Sequence, residues 1–189
     1  MVSLAQLWLP ILLSAVGVFV ASSVLHMLLK FWHTPDYKGF SNEDEVRAAV
    51  RAGKPAAGIY MLPFCSPENM NSPEMRQKFE EGPVGVMFLR RTGMANMGVT
   101  LAQWFVFTVI VSVIAAHIAA VTLSAGAPGE RVFHVVGVIT FMAYALGVVP
   151  YAIWWGQTWS SIFKDIVDGL VYGAITGALF AWLWPAAGG

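Results

Sequence analysis

Four histidines lie inside or beside the apolar stretches of this 189-residue chain. An inward-facing imidazole in a membrane span can ligate a haem iron or a chlorophyll-type pigment. His117 and His134 are the candidates for such a cofactor site, because the short connection between their stretches places both at similar depth. The alternative is that each histidine hydrogen-bonds a neighbouring helix or extends to the membrane surface.

His26 and His33 are seven residues apart. That spacing puts both on one helix face if the helix continues past Trp32. The dipeptide Thr34–Pro35 follows and is expected to end the helix. We therefore expect a structural role for these two histidines.

Asp165 and Asp168 stand at the predicted beginning of the last apolar stretch. A carboxylate at a helix N-terminus is stabilised by the helix dipole, and Lys164 is placed to pair with Asp168. A proton relay is the functional alternative. We expect helix-end electrostatics, with no acid at mid-membrane in any span, which counts against an ion-coupled transporter.

The sequence contains no glycine-rich phosphate loop, paired-cysteine motif, HExxH or nucleophile elbow. The single cysteine, Cys65, can form neither an internal disulfide nor a two-cysteine metal site. A net charge of zero offers no electrostatic attraction for nucleic acid. The sequence therefore predicts no catalytic residue and no metal site, and we expect a protein that is not an enzyme.

Charged residues make up only 12% of the chain and are absent from four long stretches. Each stretch can hold the roughly 20 apolar residues that a membrane-spanning helix needs. The fold class is therefore predicted to be an all-α integral membrane protein, a single membrane domain with four transmembrane helices. The predicted spans are approximately 7–29, 99–123, 132–151 and 166–184.

The connection between the first two spans, residues 30–98, is predicted to form a small cap rather than a domain that folds alone. Its first short amphipathic helix is expected near 42–52, with Ser41 as N-cap. A second is expected near 73–81, with Ser72 as N-cap and Pro73 at the first helical position.

Two short apolar runs bracket the second of these helices, GIYML at 58–62 and VGVMFL at 84–89. They either pair as short strands or dip into the headgroup region of the membrane. Their length does not distinguish the two alternatives.

The basic residues indicate an orientation, because nine of the eleven lie in residues 30–98. By the positive-inside rule this connection faces the cytoplasm. The expected location is a bacterial inner membrane, crossed several times, with both termini in the periplasm.

Small residues recur at every fourth position of the last span. They are Gly169, Gly173, Gly177 and Ala181. In a bilayer such a face permits close helix packing. A polar ribbon of Asp168, Tyr172 and Thr176 runs beside it. The candidate partner for the small face is span two, where Thr108, Ser112, Ala116 and Ala120 share the four-residue spacing. A helix of another subunit is the alternative.

Three segments resemble small four-span bacterial inner-membrane proteins that are classed as a domain of unknown function. They are SVLHMLLKFWH, EEGPVGVMFLRRTGMANMG and WWGQTWSSIFKDIVDGLVYGAITGALFAWLWP. The resemblance covers most of the chain. It implies the four-span layout and carries no assigned activity.

These features favour a non-catalytic accessory subunit of a larger bacterial membrane complex, of the photosynthetic reaction-centre and light-harvesting type or the respiratory type. It would pack through small-residue helix faces, with membrane lipids and other subunits as partners. The first alternative is a haem- or bacteriochlorophyll-binding protein that uses His117 and His134 without a covalent link. The second is a small transporter or lipid-handling protein.

Overall fold

The computed structural model describes residues 2–187 and confirms four helices that are long and apolar enough to cross a membrane. The candidate spans are Trp8–Leu28, Met97–Thr122, Gly129–Trp155 and Trp159–Trp182. The protein is therefore a multi-pass membrane protein with a mostly helical fold.

Two of the spans contain departures from the α-helix. The candidate span Trp8–Leu28 consists of α1 (Trp8–Ser23) and a π-helix (Val24–Leu28), and it continues into α2 (Lys30–His33) and a 3-10 turn (Thr34–Asp36). We refer to this whole stretch, residues 8–36, as the first span. The third span consists of α6 (Gly129–Ala145), a 3-10 turn (Leu146–Val148) and α7 (Val149–Trp155). The second and fourth spans are single α-helices, α5 (Met97–Thr122) and α8 (Trp159–Trp182). The fourth helix begins at Trp159 instead of near 166, because hydropathy detects the apolar part of a helix and misses its polar first turns.

The chain divides into two compact units. The helical unit comprises the chain up to Tyr37, Ala95–Pro150, and the chain from Thr158 onward. The connector unit comprises Lys38–Met94 together with Tyr151–Gln157.

The connector unit contains two short helices and two strands in the order α3 (Glu43–Ala52), β1 (Gly58–Leu62), α4 (Pro73–Glu81) and β2 (Gly85–Leu89). The strands pair antiparallel, so strand pairing is the correct alternative for the two apolar runs. Ser72 caps α4 as predicted, since its Oγ accepts a hydrogen bond from Met75 N at 3.1 Å. The cap of α3 is Asn42 and not Ser41, because the Asn42 carbonyl already accepts the Val46 amide.

The small face of α8 packs on α6, so the prediction of span two as its partner was wrong. A Cβ added at Gly173 would lie 2.8 Å from the carbonyl oxygen of Gly137, and one added at Gly177 would lie 2.8 Å from that of Phe133. Gly169 packs on Ala145 in the same way, and Ala181 lies beside Gly129. Only residues without a side chain allow backbones to approach this closely.

Span two instead packs on the first span. The Thr108 hydroxyl on α5 is buried and lies 3.3 Å from the carbonyl oxygen of Ala15 on α1. Thr108 therefore contacts α1, whereas Ala116 and Ala120 of the same helix lie in the apolar core with Val132, Val136 and Phe180.

The apolar core of the helical unit lies toward the end of α8 that carries Phe180. Leu7, Val132, Val136 and Phe180 are all buried in this core. The buried Asp168 lies more than two helical turns before Phe180 along α8, so polar and apolar burial are separated along this helix.

Gly173→Ala is expected to lower the free energy of unfolding by about 1–3 kcal/mol, because the new methyl group cannot be accommodated against a backbone carbonyl. Gly147→Ala is the matched control, since a Cβ at that position meets nothing within 4 Å. Unfolding of the purified chain by titration with SDS, followed by circular dichroism, measures both. Equal stability of the two variants would contradict the close packing of α6 on α8.

Candidate functional site

A group of polar side chains is gathered inside the helical unit, between the end of the first span and the first half of α8. We call it the Asp168 cluster. Its members are His26, Trp32, His33, Asp36, Lys164, Asp165 and Asp168. Two histidines and an acid that the sequence analysis treated separately are thereby brought into one site.

Asp168 is at the centre of the cluster and only 3% exposed. Its Oδ1 accepts a hydrogen bond of 2.9 Å from Trp32 Nε1. Its Oδ2 lies 2.8 Å from His33 Nε2 and 3.2 Å from His26 Nε2. Three nitrogen groups of the first span therefore converge on one carboxylate of the last.

The two histidines meet because the first span departs from an α-helix between them. Seven residues of continuous α-helix would separate them by about 10.5 Å along the axis. Instead Val24–Leu28 forms a π-helix, and Leu29 leaves the helical region with φ −84° and ψ 66°. As a result the rings of His26 and His33 stack, with centroids 4.1 Å apart and planes at 10°. Single turns of π-helix are frequently found at functional sites.

The helix was predicted to end at Thr34–Pro35, and the structure interrupts it earlier, at Leu29. The interruption turns α2 back toward α8. Pro35 then lies in the short 3-10 turn that carries Asp36 into the cluster. The break therefore positions three members of the cluster, Trp32, His33 and Asp36.

A second ion pair extends the cluster. Lys164 Nζ lies 2.6 Å from Asp36 Oδ1, and Asp36 Oδ2 lies 3.5 Å from His33 Nδ1. The predicted pairing of Lys164 with Asp168 was therefore wrong, because both oxygens of Asp168 already face the first span. Asp36 faces both Lys164 and the Nδ1 side of His33.

The interpretation of Asp168 as a helix-end charge was also wrong. Asp168 follows the first residue of α8 by nine positions, about 13.5 Å along the axis. A helix dipole contributes about 0.3–1 kcal/mol and only within the first turn. Burying a carboxylate costs several kcal/mol, so its hydrogen-bond partners must supply the compensation. The expectation that no acid lies at mid-membrane stays a prediction.

The cluster contains three acids, one lysine and two histidines, so acids are in excess only while the imidazoles are neutral. Asp36 and Asp168 are mainly buried, and the half-buried Asp165 interacts electrostatically with both and with the two histidines. Lys164 is the permanent cation among these members. With neutral imidazoles and three ionised carboxylates the cluster carries two excess negative charges, which a protonated carboxyl group, a protonated histidine or a bound cation can offset.

A line of buried hydroxyl groups continues from Asp168 along α8. Tyr172 and Thr176 follow it at successive turns and are as deeply buried, as the predicted polar ribbon requires. Tyr144 and Thr140 on α6 add two more hydroxyl groups. All four hydroxyl oxygens lack a hydrogen-bond partner within the part of the chain that the structure describes. The polar interior thus extends about 12 Å beyond Asp168.

The candidate cofactor ligands lie elsewhere. His117 on α5 and His134 on α6 are both exposed, on helix faces that point away from the other helices of the bundle. Nδ1 of His134 lies 2.8 Å from the carbonyl oxygen of Glu130 in its own helix. The buried faces of both helices are instead formed by small and β-branched residues. Neither histidine faces inward, as a haem or pigment held inside the bundle requires.

The small-residue face of α8, which supported an accessory subunit, is filled within this chain, whereas Gly147 on the third span meets nothing within 4 Å. Beside the glycines of α8, Gly17 on α1 meets Ile175 of α8, where an added Cβ would lie 2.9 Å from that side chain. Membership of a photosynthetic or respiratory complex stays a prediction, as does the absence of enzymatic activity.

No protein-family model, curated protein or solved structure matches this chain. The bacterial family suggested by the three segments is therefore not identified. The four-span layout stands on the four apolar helices themselves.

Trp32→Phe is expected to lower the free energy of unfolding by about 1.5–3 kcal/mol, because it removes a hydrogen bond to a charged acceptor. Trp104→Phe is the matched control, because Trp104 is also half-buried and its Nε1 donates at 2.8 Å to the neutral Ser22 hydroxyl. That change should cost about 0.5–1.5 kcal/mol. Titration with SDS compares the two, and a smaller cost for Trp32→Phe would show that Asp168 is not held as a carboxylate.

Proposed function

We propose that this multi-pass membrane protein binds a cation inside its helical bundle, at the Asp168 cluster. The observation that carries the proposal is a carboxylate only 3% exposed, on which three nitrogen groups converge in a cluster with excess acid. A cation held there offsets the excess charge.

A purely structural role explains this arrangement less well. Ionisable groups within membrane spans are costly and usually mark the paths of ions or protons. A single donor pair would satisfy one carboxylate, whereas this chain breaks its first span to bring two imidazoles and an indole to Asp168. Backbone departures of this kind cost free energy and accumulate at functional positions.

The class of function that fits is cation handling, meaning uptake, transfer or sensing of an ion. The transporter alternative had been disfavoured because no acid was expected at mid-membrane, whereas Asp168 is a buried acid within a candidate span. The His26 side chain is 44% exposed while its Nε2 faces Asp168, so the cluster has one open side. We propose that an ion enters and leaves on this side.

We place the protein in a bacterial inner membrane with residues 30–98 in the cytoplasm, on the strength of the nine basic residues in that connection. The cluster lies at the end of the first span that leads into this connection. The proposed cation site would then lie nearer the cytoplasmic surface, with the hydroxyl line running from it toward the periplasm.

The proposal is tested by the thermal stability of the full chain in lipid nanodiscs. After dialysis against a chelator, the chain is scanned with Na⁺, K⁺, Mg²⁺, Ca²⁺, Mn²⁺ or Zn²⁺. A ligand at 100 times its Kd adds about 2.7 kcal/mol, so we expect at least one ion to raise Tm by about 5–10 °C.

Asp168→Asn keeps the shape of the side chain and should abolish this rise in Tm. Glu130→Gln removes an exposed carboxylate at the start of α6 and should leave it intact. A panel in which no cation raises the Tm of the unaltered chain would refute cation binding.

A further inference from the structure

We infer that the cation is a divalent transition-metal ion, and that its ligands are His26 Nε2, His33 Nε2 and Asp168 Oδ2. The inference rests on the cation binding proposed above and names the chemical class of the ion. It also revises the prediction, made from sequence, that the chain has no metal site.

The positions of the three ligand atoms agree with a shared ion. All three lie within 4.8 Å of one another, and the two separations from Asp168 Oδ2 are 2.8 and 3.2 Å. Ligand atoms that share an ion at about 2.1 Å lie about 3.0–3.4 Å apart. Because the two rings stack with their planes at 10°, at least one imidazole must rotate out of the stack before both Nε2 atoms can point at one ion.

The chemistry of the donor set selects the class of ion. Imidazole nitrogen suits Zn²⁺, Fe²⁺, Co²⁺ and Ni²⁺, whereas Ca²⁺ and Mg²⁺ prefer sites built from oxygen. Copper(I) prefers thiolate and thioether sulfur, and this ligand set contains none. Two imidazoles and one carboxylate therefore favour a borderline divalent ion.

The groups around the ligands match the outer shell of metal sites. Trp32 occupies Oδ1 of Asp168, which leaves Oδ2 for the ion. Asp36 Oδ2 lies 3.5 Å from His33 Nδ1, on the side away from the ion, and accepts no hydrogen bond from the described residues. A carboxylate at the far nitrogen of a ligating histidine orients the ring and makes it a better ligand. Lys164 in turn holds Asp36.

The charge of the cluster agrees as well. A ligating histidine is neutral, so Lys164 is then the one positively charged side chain beside the three acids of the cluster. A divalent ion brings two positive charges to this poorly solvated place, whereas a monovalent ion brings one.

Three protein ligands leave part of the coordination sphere open. Structural zinc sites usually have four protein ligands, whereas sites where chemistry occurs keep a position for water or substrate. The partly exposed His26 lies on the open side. The site is therefore suited to an ion that exchanges or reacts, rather than to a structural ion that stabilises the fold.

The test uses the full chain in nanodiscs, stripped of metal and titrated with Co²⁺. Visible d–d absorption reports the Co²⁺ ligands, and competition with Zn²⁺ gives the affinity for zinc. We expect one ion per chain. His26→Ala, His33→Ala and Asp168→Asn should each weaken binding by more than about 100-fold, and Asp36→Asn, an outer-shell change, by about 10–100-fold.

His117→Ala and His134→Ala are the matched controls, since both remove an exposed membrane histidine away from the cluster. Both should retain the affinity and spectrum of the unaltered chain. Loss of Co²⁺ binding in these controls, or its retention in His26→Ala and His33→Ala, would overturn the assignment of ligands.

A measurement on the unaltered chain covers the case in which a ligand variant fails to fold. X-ray absorption of the zinc-loaded protein counts imidazole ligands, and we expect two. A count of none or one would overturn the inference. If Na⁺ or K⁺ stabilises the chain through Asp168 and no transition metal binds, the metal assignment fails and cation binding stands. If no cation binds, both fail.

Discussion

The negative charge of Asp168 is the constraint from which the rest of the helical unit follows. A carboxylate in an apolar bundle needs hydrogen-bond donors and a compensating positive charge. The donors come from the first span, and a regular helix there would carry His33 past the acid. The π-helix and the break at Leu29 change the direction of the chain before α2. Both imidazoles and the indole can therefore reach the one carboxylate of Asp168. Lys164 is thereby left for Asp36.

The helix that carries Asp168, α8, also packs closely on α6 through the face next to Asp168. The glycines of α8 close on carbonyl groups of α6, while Asp168 points toward the first span. Residue 168 belongs to the polar side and residue 169 to the close-packed side, one position around the helix. Close packing against α6 fixes the position of α8 and of Asp168 on it. The side chains of the more irregular first span can therefore bind to an acid whose position does not change.

Much of the fold was predictable from the chain alone. The four charge-free stretches predicted the spans because a bilayer excludes charge, and Ser72 predicted the start of α4 because its hydroxyl caps the helix. The beginning of α8 was predicted too late, since Lys164 and Asp165 lower the hydropathy without ending the helix. This one error turned Asp168 into a helix-end charge and hid its burial.

The candidate site was not predictable in the same way. His117 and His134 stood out because they lie within apolar stretches, but depth in a span does not say which way a side chain faces. The spacing of His26 and His33 did suggest a shared face. Their stacking, however, depends on a backbone break at Leu29, where no proline or glycine marks it. The partner of both, Asp168, is set by the packing of the first span on the last, which has no local signature.

The distance along the chain between the two halves of the cluster has a consequence for biosynthesis. His33 and Asp168 are separated by 135 residues, which a ribosome adds in roughly 7–27 s at ordinary elongation rates. Throughout that interval the chain carries His26, His33 and Asp36 without the acid they surround. Until the last helix arrives, water or the insertion machinery has to solvate these polar groups. The cluster can therefore form only after the fourth span, which carries Asp168, has been synthesised and has packed on the first.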